Sequence, residues 1–416
     1  MKKQGLFLLC LIICVTLVAC TALLVGCSKE EVHTHDFDEW EITLKPTCTE
    51  KGARIRTCDC GETEKGELDA TGKHVYGVDN TCTACGLELV YTKELNFHLN
   101  DGGESWTVAM NEYSDIDVVI IPESYNGKPV TTIGFRAFYY CENLTTVTIP
   151  SSINTIGHDA FYECPSLAEV HISDLLSWMS INFQSHPCSA GATLLLNGSP
   201  LTDLVIPDGA ESVGTRAFLN VKEMRSVEIP KSVKSIEEAA FSGCTSLSSL
   251  TIPSSVTSIG YCAFGSCTSL TLIKIPDSVT SIGVGAFGYC SGLTSITIPD
   301  SVTGMGNNAF SNCSNLEWAD LSEGLKYIPD GAFAWCPKLA SVIIPKSITS
   351  IGTRAFYDCS SLAEIYYEGS ESDWSGVSIA DKNDDLHNAT VYFYSKNRPD
   401  ASGNYWHYVN GVPTVW

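Results

Sequence analysis

Positive charge is scarce in this sequence. Lysine and arginine total 25 against 48 aspartates and glutamates, for a formal charge of −23. A chain this acidic repels phosphate backbones and lacks the attraction on which non-specific nucleic-acid binding rests, so nucleic acid is excluded as a partner. Familiar catalytic motifs are missing as well: there is no His-Glu-x-x-His, no Gly-x-Ser-x-Gly and no glycine loop built to cradle phosphate. His171 and His186 have no nucleophile and base arranged around them. Asp381, Asn383, Asp384 and Asp385 fit no calcium-loop spacing and read as a solvated acidic turn. The expectation is a protein that binds rather than one that catalyses. Apolar residues, in contrast, are plentiful. At 416 residues, 44% hydrophobic and 10% aromatic, the chain has ample material for a packed core.

The N-terminus has the form of an export signal: Met1, Lys2, Lys3, then an apolar run from Leu6 to Val25 broken only by Thr16 and Thr21. Its end, Leu24-Val25-Gly26-Cys27, resembles the lipobox of bacterial lipoproteins, which implies cleavage after residue 26 and a lipid on Cys27. The alternative is an uncleaved signal anchor, since about 20 apolar residues span a bilayer. Either way, residues 27–32 are a tether and the rest of the chain is expected outside the membrane.

Residues 33–87 differ in texture, with His33, His35, Cys48, Cys58, Cys60, His74, Cys82 and Cys85 among charges and threonines. A segment this short needs crosslinks or a metal to hold it. Cys82-Thr83-Ala84-Cys85-Gly86 is a knuckle-like turn suited to zinc, whereas Cys58-Asp59-Cys60 is one residue short of that spacing. Structural zinc on Cys58, Cys60, His74, Cys82 and Cys85 therefore stands beside disulfides that leave one thiol over. The stretch also resembles the zinc-ribbon-like modules that lie between anchor and repeats in bacterial surface proteins.

The dominant signal is a period of 23 residues. An Ala-Phe pair places Phe138, Phe161, Phe218, Phe241, Phe264, Phe287, Phe310, Phe333 and Phe356 in phase, with one insertion of 34 residues after the second. Cysteine follows three residues later in eight of the nine units, from Cys141 to Cys359, with Val221 the exception. Next comes a Leu-x-x-Ile-x-Ile-Pro step, as in Leu293 to Pro299. Such a unit buries its apolar positions only against its neighbours and makes one turn of a solenoid. The alternating segment predicts a strand of a parallel sheet along one face, ended by a proline that has no N–H for the ladder. The Ser-Val-Thr-Ser-Ile-Gly stretch is expected to turn along the opposite side, and each phenylalanine to stack on the next. The cysteines read as buried free thiols, because a shared rotamer sets neighbouring sulfurs in parallel. Cys188 and Cys262 lie off that column and are the expected reactive outliers.

This pattern closely resembles the BspA-type leucine-rich repeat of bacterial surface proteins, over about residues 95–394. The resemblance implies a right-handed, β-rich leucine-rich-repeat coil with a surface-exposed adhesion or recognition role. The implied partner is a host or envelope protein or glycan, and no ligand-binding residue set carries over. The implied organisation is an N-terminal cap hairpin at 88–117, turning at Asn100-Asp101-Gly102-Gly103, and repeats at 118–369 with the insertion at 173–206. A C-terminal cap at 370–394 and an aromatic hairpin at 395–416 follow. The insertion and the C-terminal cap share a helix-Trp device, at Trp178 and Trp374. Outward sheet positions are mostly Ser or Thr, but Trp318, Ile343 and Tyr366 interrupt them on three successive strands and form the candidate contact patch. A second role, a structural spacer displaying the N-terminal module as the binding head, fits the same sequence.

Overall fold

The computed structural model describes residues 41–44, 52–57, 63–68, 92–110, 115–400 and 402–416. The apolar leader, Cys27, the tether and the proposed zinc residues Cys58, Cys60, His74, Cys82 and Cys85 lie outside them. Two units are distinguished, Met1–His74 and Val75–Trp416. In the first, the strands Glu41–Leu44, Gly52–Thr57 and Thr63–Leu68 form an antiparallel sheet in sequence order.

The second unit is a β-solenoid. Its cap is the hairpin Asn96–Leu99 and Trp106–Ala109, closed by the bond from Asn100 N to Ser105 O at 2.9 Å. The 23-residue units then build two parallel ladders rather than one. The long ladder is the predicted sheet, with rungs such as Thr146–Thr148, Ser226–Glu228, Ser295–Thr297 and Ser341–Ile344. The short ladder comes from the stretch expected only to turn: Ser235–Ile236, Ser258–Ile259 and Ser281–Ile282 pair in register. Two residues are too few to show alternation in a sequence, so this second sheet emerges only when coils are stacked.

Glycine closes the Ser-Ile step for a steric reason. A Cβ at Gly157, Gly260 or Gly283 would sit 2.7, 2.6 or 2.5 Å from backbone of the preceding coil. Its N–H also extends the ladder, as from Gly306 to Ile282 O and from Gly352 to Ile328 O, both 2.8 Å. Pro329 takes that slot in the coil between and has no N–H to give. There the short ladder breaks, and Tyr327–Ile328 does not pair with Gly304–Met305.

The core is one continuous aromatic and aliphatic column. Phe218, Phe241, Phe264, Phe287, Phe310, Phe333 and Phe356 are fully buried and stacked in sequence, with centroids 5.2–5.5 Å apart. Residues two before and two after each phenylalanine adopt left-handed backbone, for example Asn308 (φ 57°) and Asn312 (φ 60°) around Phe310. Between them the Ala-Phe segment bonds coil to coil, as from Phe264 N to Ala286 O at 2.8 Å.

The cysteine column is made of buried free thiols. From Cys164 onward each donates to the phenylalanine carbonyl of the preceding coil: Cys267 Sγ to Phe241 O at 3.2 Å, Cys290 to Phe264 at 3.1 Å, Cys313 to Phe287 at 3.3 Å. The thiol is thus a second donor to a carbonyl that already takes an N–H within its own turn, as from Cys267 N to Phe264 O at 3.2 Å, and it ties one coil to the next. Burial pushes the thiols of Cys244 and Cys290 up to about 12.

The insertion and the region after the last repeat are built alike. Each has a short helix, Leu175–Met179 or Glu371–Ser375, followed by a two-residue strand, Asn182–Phe183 or Ser378–Ile379, that joins the short ladder. Trp178 is buried against Phe183 and His186 and donates from Nε1 to Ala217 O at 2.7 Å. Both ladders break at the insertion, and the core passes through it.

Candidate recognition face

The outward positions of the long ladder form the face on which the sequence placed a contact patch. Strand register does bring Trp318, Ser341, Ile343, Glu364 and Tyr366 onto adjacent rungs. The patch is nevertheless not open to solvent, and the expectation for two of its three residues is corrected. Ile343 is 1% exposed and Tyr366 8%, because the C-terminal hairpin, which continues the same sheet beyond Thr390–Tyr394, packs its aromatics onto their outer side. That hairpin, Tyr405–Val409 with Val412–Val415, seats Trp406 against Ile343 and Tyr366, with Trp318 and Tyr392 at the margin. Trp406 donates from Nε1 to Tyr367 O at 3.0 Å, and the Tyr408 hydroxyl donates to Glu368 Oε1 at 2.8 Å. The terminal aromatics are thus a second small core. Only Trp318, half-buried at its edge, remains available on the outer face.

Just before Trp318 the face opens into a groove of about 520 Å³. Leu272 and Lys274 line one side, Ser295 and Thr297 the floor, and Asp300 and Asp320 the other side. Leu272 and Lys274 stand in slots that hold serine and threonine in neighbouring coils, at Ser249, Thr251, Ser295 and Thr297. Leu272 is 65% exposed. Burial, with the nearby charge of Asp300, raises the Asp320 carboxyl to about 6. Glu368 is raised to about 7, chiefly by burial; the hydrogen bond from Tyr408 opposes this, and the charges of Glu323 and Asp320 add to it. Sequence reasoning missed this groove, because the only local signal is the pair of substitutions at Leu272 and Lys274.

The other singled-out residues have structural work. Cys188, expected to be reactive, is fully buried and its thiol is pushed well up by desolvation, so that expectation is corrected. His186 beside it is pushed down to about 3 by burial, and its Nδ1 accepts from Cys188 N at 3.2 Å. Cys262 is partly exposed. In the acidic turn, Asn383 Oδ1 accepts from Phe356 N at 3.0 Å and Asp385 Oδ2 from Cys359 N at 2.9 Å, which caps the last full coil. Among the described residues no cluster of His, Cys, Asp or Glu suits a metal ion. A separate aromatic surface lies on the first coils. Phe135 is 66% exposed there, Tyr139 stacks on Tyr162 at 5.4 Å, and the Arg136 guanidinium lies 4.6 Å from the Tyr139 ring centroid.

Two stacked ladders, a phenylalanine column and thiol-capped turns define a leucine-rich-repeat solenoid. The family model described as the BspA type leucine rich repeat region matches six copies, over residues 112–189, 192–317 and 263–378, and the chain belongs to that family. Among solved structures, a leucine rich cell surface protein from Faecalibacterium prausnitzii is 28% identical, covering 71% of this chain and 99% of its own, with a TM-score of 0.41. A leucine-rich repeat protein from Bacteroides ovatus is 25% identical, covering 74% and 91%, at a TM-score of 0.44. One from Eubacterium ventriosum is 23% identical, covering 66% and 83%, at 0.43. No curated protein matches the chain.

Proposed function

We propose that this chain is a bacterial cell-surface recognition protein that binds a protein or glycan on the outer face of its long ladder. The N-terminus holds it to the membrane through a lipid on Cys27 or through the apolar run of residues 6–25. One observation carries the reading of the face. The chain's own hairpin covers the last rungs, while the rungs just before it stay uncovered and present Trp318 beside an open groove. Aromatic side chains at the rim of a concave surface are effective anchors for partners. Membership of a repeat family whose coils stack into extended surfaces supports the same role.

The experiment is capture from host-surface extracts and bacterial envelope material on the immobilised full chain, repeated with Trp318→Ala. The expected result is a captured partner whose affinity falls about tenfold, or ~1.4 kcal/mol, in the variant while the fold is retained. A partner bound equally by both proteins would remove the face from consideration. The anchor has its own test: radiolabelled palmitate should enter the wild type but not Cys27→Ala.

A further inference from the structure

The long ladder fails at one rung. Leu272, Ile273 and Lys274 pair neither with Ser249–Thr251 before them nor with Ser295–Thr297 after them. Among the described residues, no backbone hydrogen bond reaches the N–H or C=O groups of these three. The opening is local. Thr294 N still donates to Thr271 O at 3.2 Å, and the short ladder on the other side of the same coils is intact at Ser258–Ile259 and Ser281–Ile282. A strand-like segment with unpaired backbone at the edge of a groove is what an incoming extended polypeptide satisfies, by adding its own main chain.

The charge around the gap selects the polypeptide. Asp277 and Asp300 follow the prolines of two successive coils, and Asp320 stands on the rung beyond; all three line the groove. Among the described residues none of the three has a lysine or arginine within ion-pair distance. Asp300 accepts Glu323 N at 3.0 Å, and the one cation on the groove wall is Lys274. Side chains of an extended peptide alternate faces at about 3.3 Å per residue, so alternate cations can lie along such an acidic margin while apolar positions meet Leu272.

We propose that the open rung is the seat of an extended, lysine- or arginine-rich segment of a partner polypeptide, which pairs its backbone with Leu272–Lys274 and sets its cations against Asp277, Asp300 and Asp320. This rests on the reading of the outer face as the recognition surface, and it names the chemical class of the ligand. Lys274 repels a cation directly opposite it and so directs the positive side chains to the flanks. Nucleic acid is repelled by the same margin. A small polyamine would meet the carboxylates but leave the backbone unpaired.

The test uses the full chain with a short synthetic peptide alternating lysine and threonine, its Nε-acetylated form, and spermine. In the free protein, amides of Leu272–Lys274 should exchange with deuterium about a hundredfold faster than those of Ser295–Thr297. The lysine peptide should slow them at least about tenfold, and added salt should reverse the effect. Asp300→Asn combined with Asp320→Asn should weaken the peptide about tenfold with the circular dichroism spectrum unchanged. The proposal is overturned if Leu272–Lys274 is already protected in the free protein, or if the lysine peptide leaves those amides exchanging. Spermine binding as tightly as the peptide, without protection by either, marks only a cation patch and has the same consequence. If the acetylated peptide protects the rung equally well, the recognition face stands but its basic specificity falls. If the lysine peptide docks while captured partners ignore Trp318→Ala, the broader reading fails and this one survives.

Discussion

Phe287 sits in the middle of the aromatic column, fully buried, with Phe264 at 5.3 Å and Phe310 at 5.2 Å and ring planes 7° and 3° from parallel. Phe287→Ala removes the buried ring and leaves a cavity that the stacked coils on either side cannot collapse, since the short ladder holds all three coils in register through Ser258–Ile259, Ser281–Ile282 and Gly304–Met305. Such truncations cost about 3–5 kcal/mol. Two stacked ring contacts, at about 0.5–1.5 kcal/mol each, lie within that loss. Phe287→Leu keeps most of the apolar volume and should lose only about 1–2 kcal/mol. Phe356, which has one ring neighbour, Phe333 at 5.5 Å, should lose less on the same truncation than Phe287. Urea titration followed by circular dichroism gives the global values, and hydrogen exchange shows whether the weakening stays in adjoining coils, as nearest-neighbour coupling requires. A loss below about 1 kcal/mol for Phe287→Ala, or equal losses for Ala and Leu, would refute the stack as a stabilising unit.

The thiol column gives a chemical prediction. With its thiol pushed up to about 12, Cys290 should resist alkylation at pH 8 until the protein unfolds, whereas Cys262 should label in the native state; mass spectrometry of quenched samples reads both. Cys290→Ala should cost about 1 kcal/mol, because Phe264 O loses the thiol that links the coils but keeps the N–H of Cys267. The acids near the hairpin predict a pH dependence. Asp320 and Glu368 are raised in the folded state, to about 6 and about 7, so they favour folding most fully below their unfolded range near 4. That contribution fades as pH rises to 7, so the melting temperature should fall across this window. Asp320→Asn with Glu368→Gln should flatten the slope, and an unchanged slope would rule out these two groups as its origin. Trp406→Ala should release the terminal hairpin, expose Ile343 and Tyr366, and raise binding of an apolar dye, while far-ultraviolet dichroism changes little.

The repeat wrote most of the solenoid into the sequence, because a side chain that recurs every coil must meet its own copies. Phe264 and Phe287 declare their stacking through spacing alone, and Cys267 its burial by sharing their phase. Three things did not follow from spacing. The short ladder uses two residues per coil, as at Ser281–Ile282, below the length at which alternation is visible. The cover over Ile343 and Tyr366 comes from Trp406, forty residues beyond Tyr366, further still beyond Ile343, and outside the repeat, so a long-range contact decided what local pattern left exposed. The gap at Leu272–Lys274 is a missing set of bonds, and residue identity records absent pairing only faintly. Cys188 illustrates the reverse error: standing off the column signalled a different place in the packing, not access to solvent.

The two ladders are interrupted at different heights. Where the long one opens at Leu272–Lys274 the short one continues, and where Pro329 interrupts the short one the long one runs on. Only at the insertion do both stop together, and Trp178 with Ala217 O and Arg216 with Phe183 O bridge the seam, with the packed interior beneath. A pull along the axis would therefore part the molecule there before anywhere else in the repeats. It would leave a short N-terminal stack and a longer C-terminal one, each still zipped.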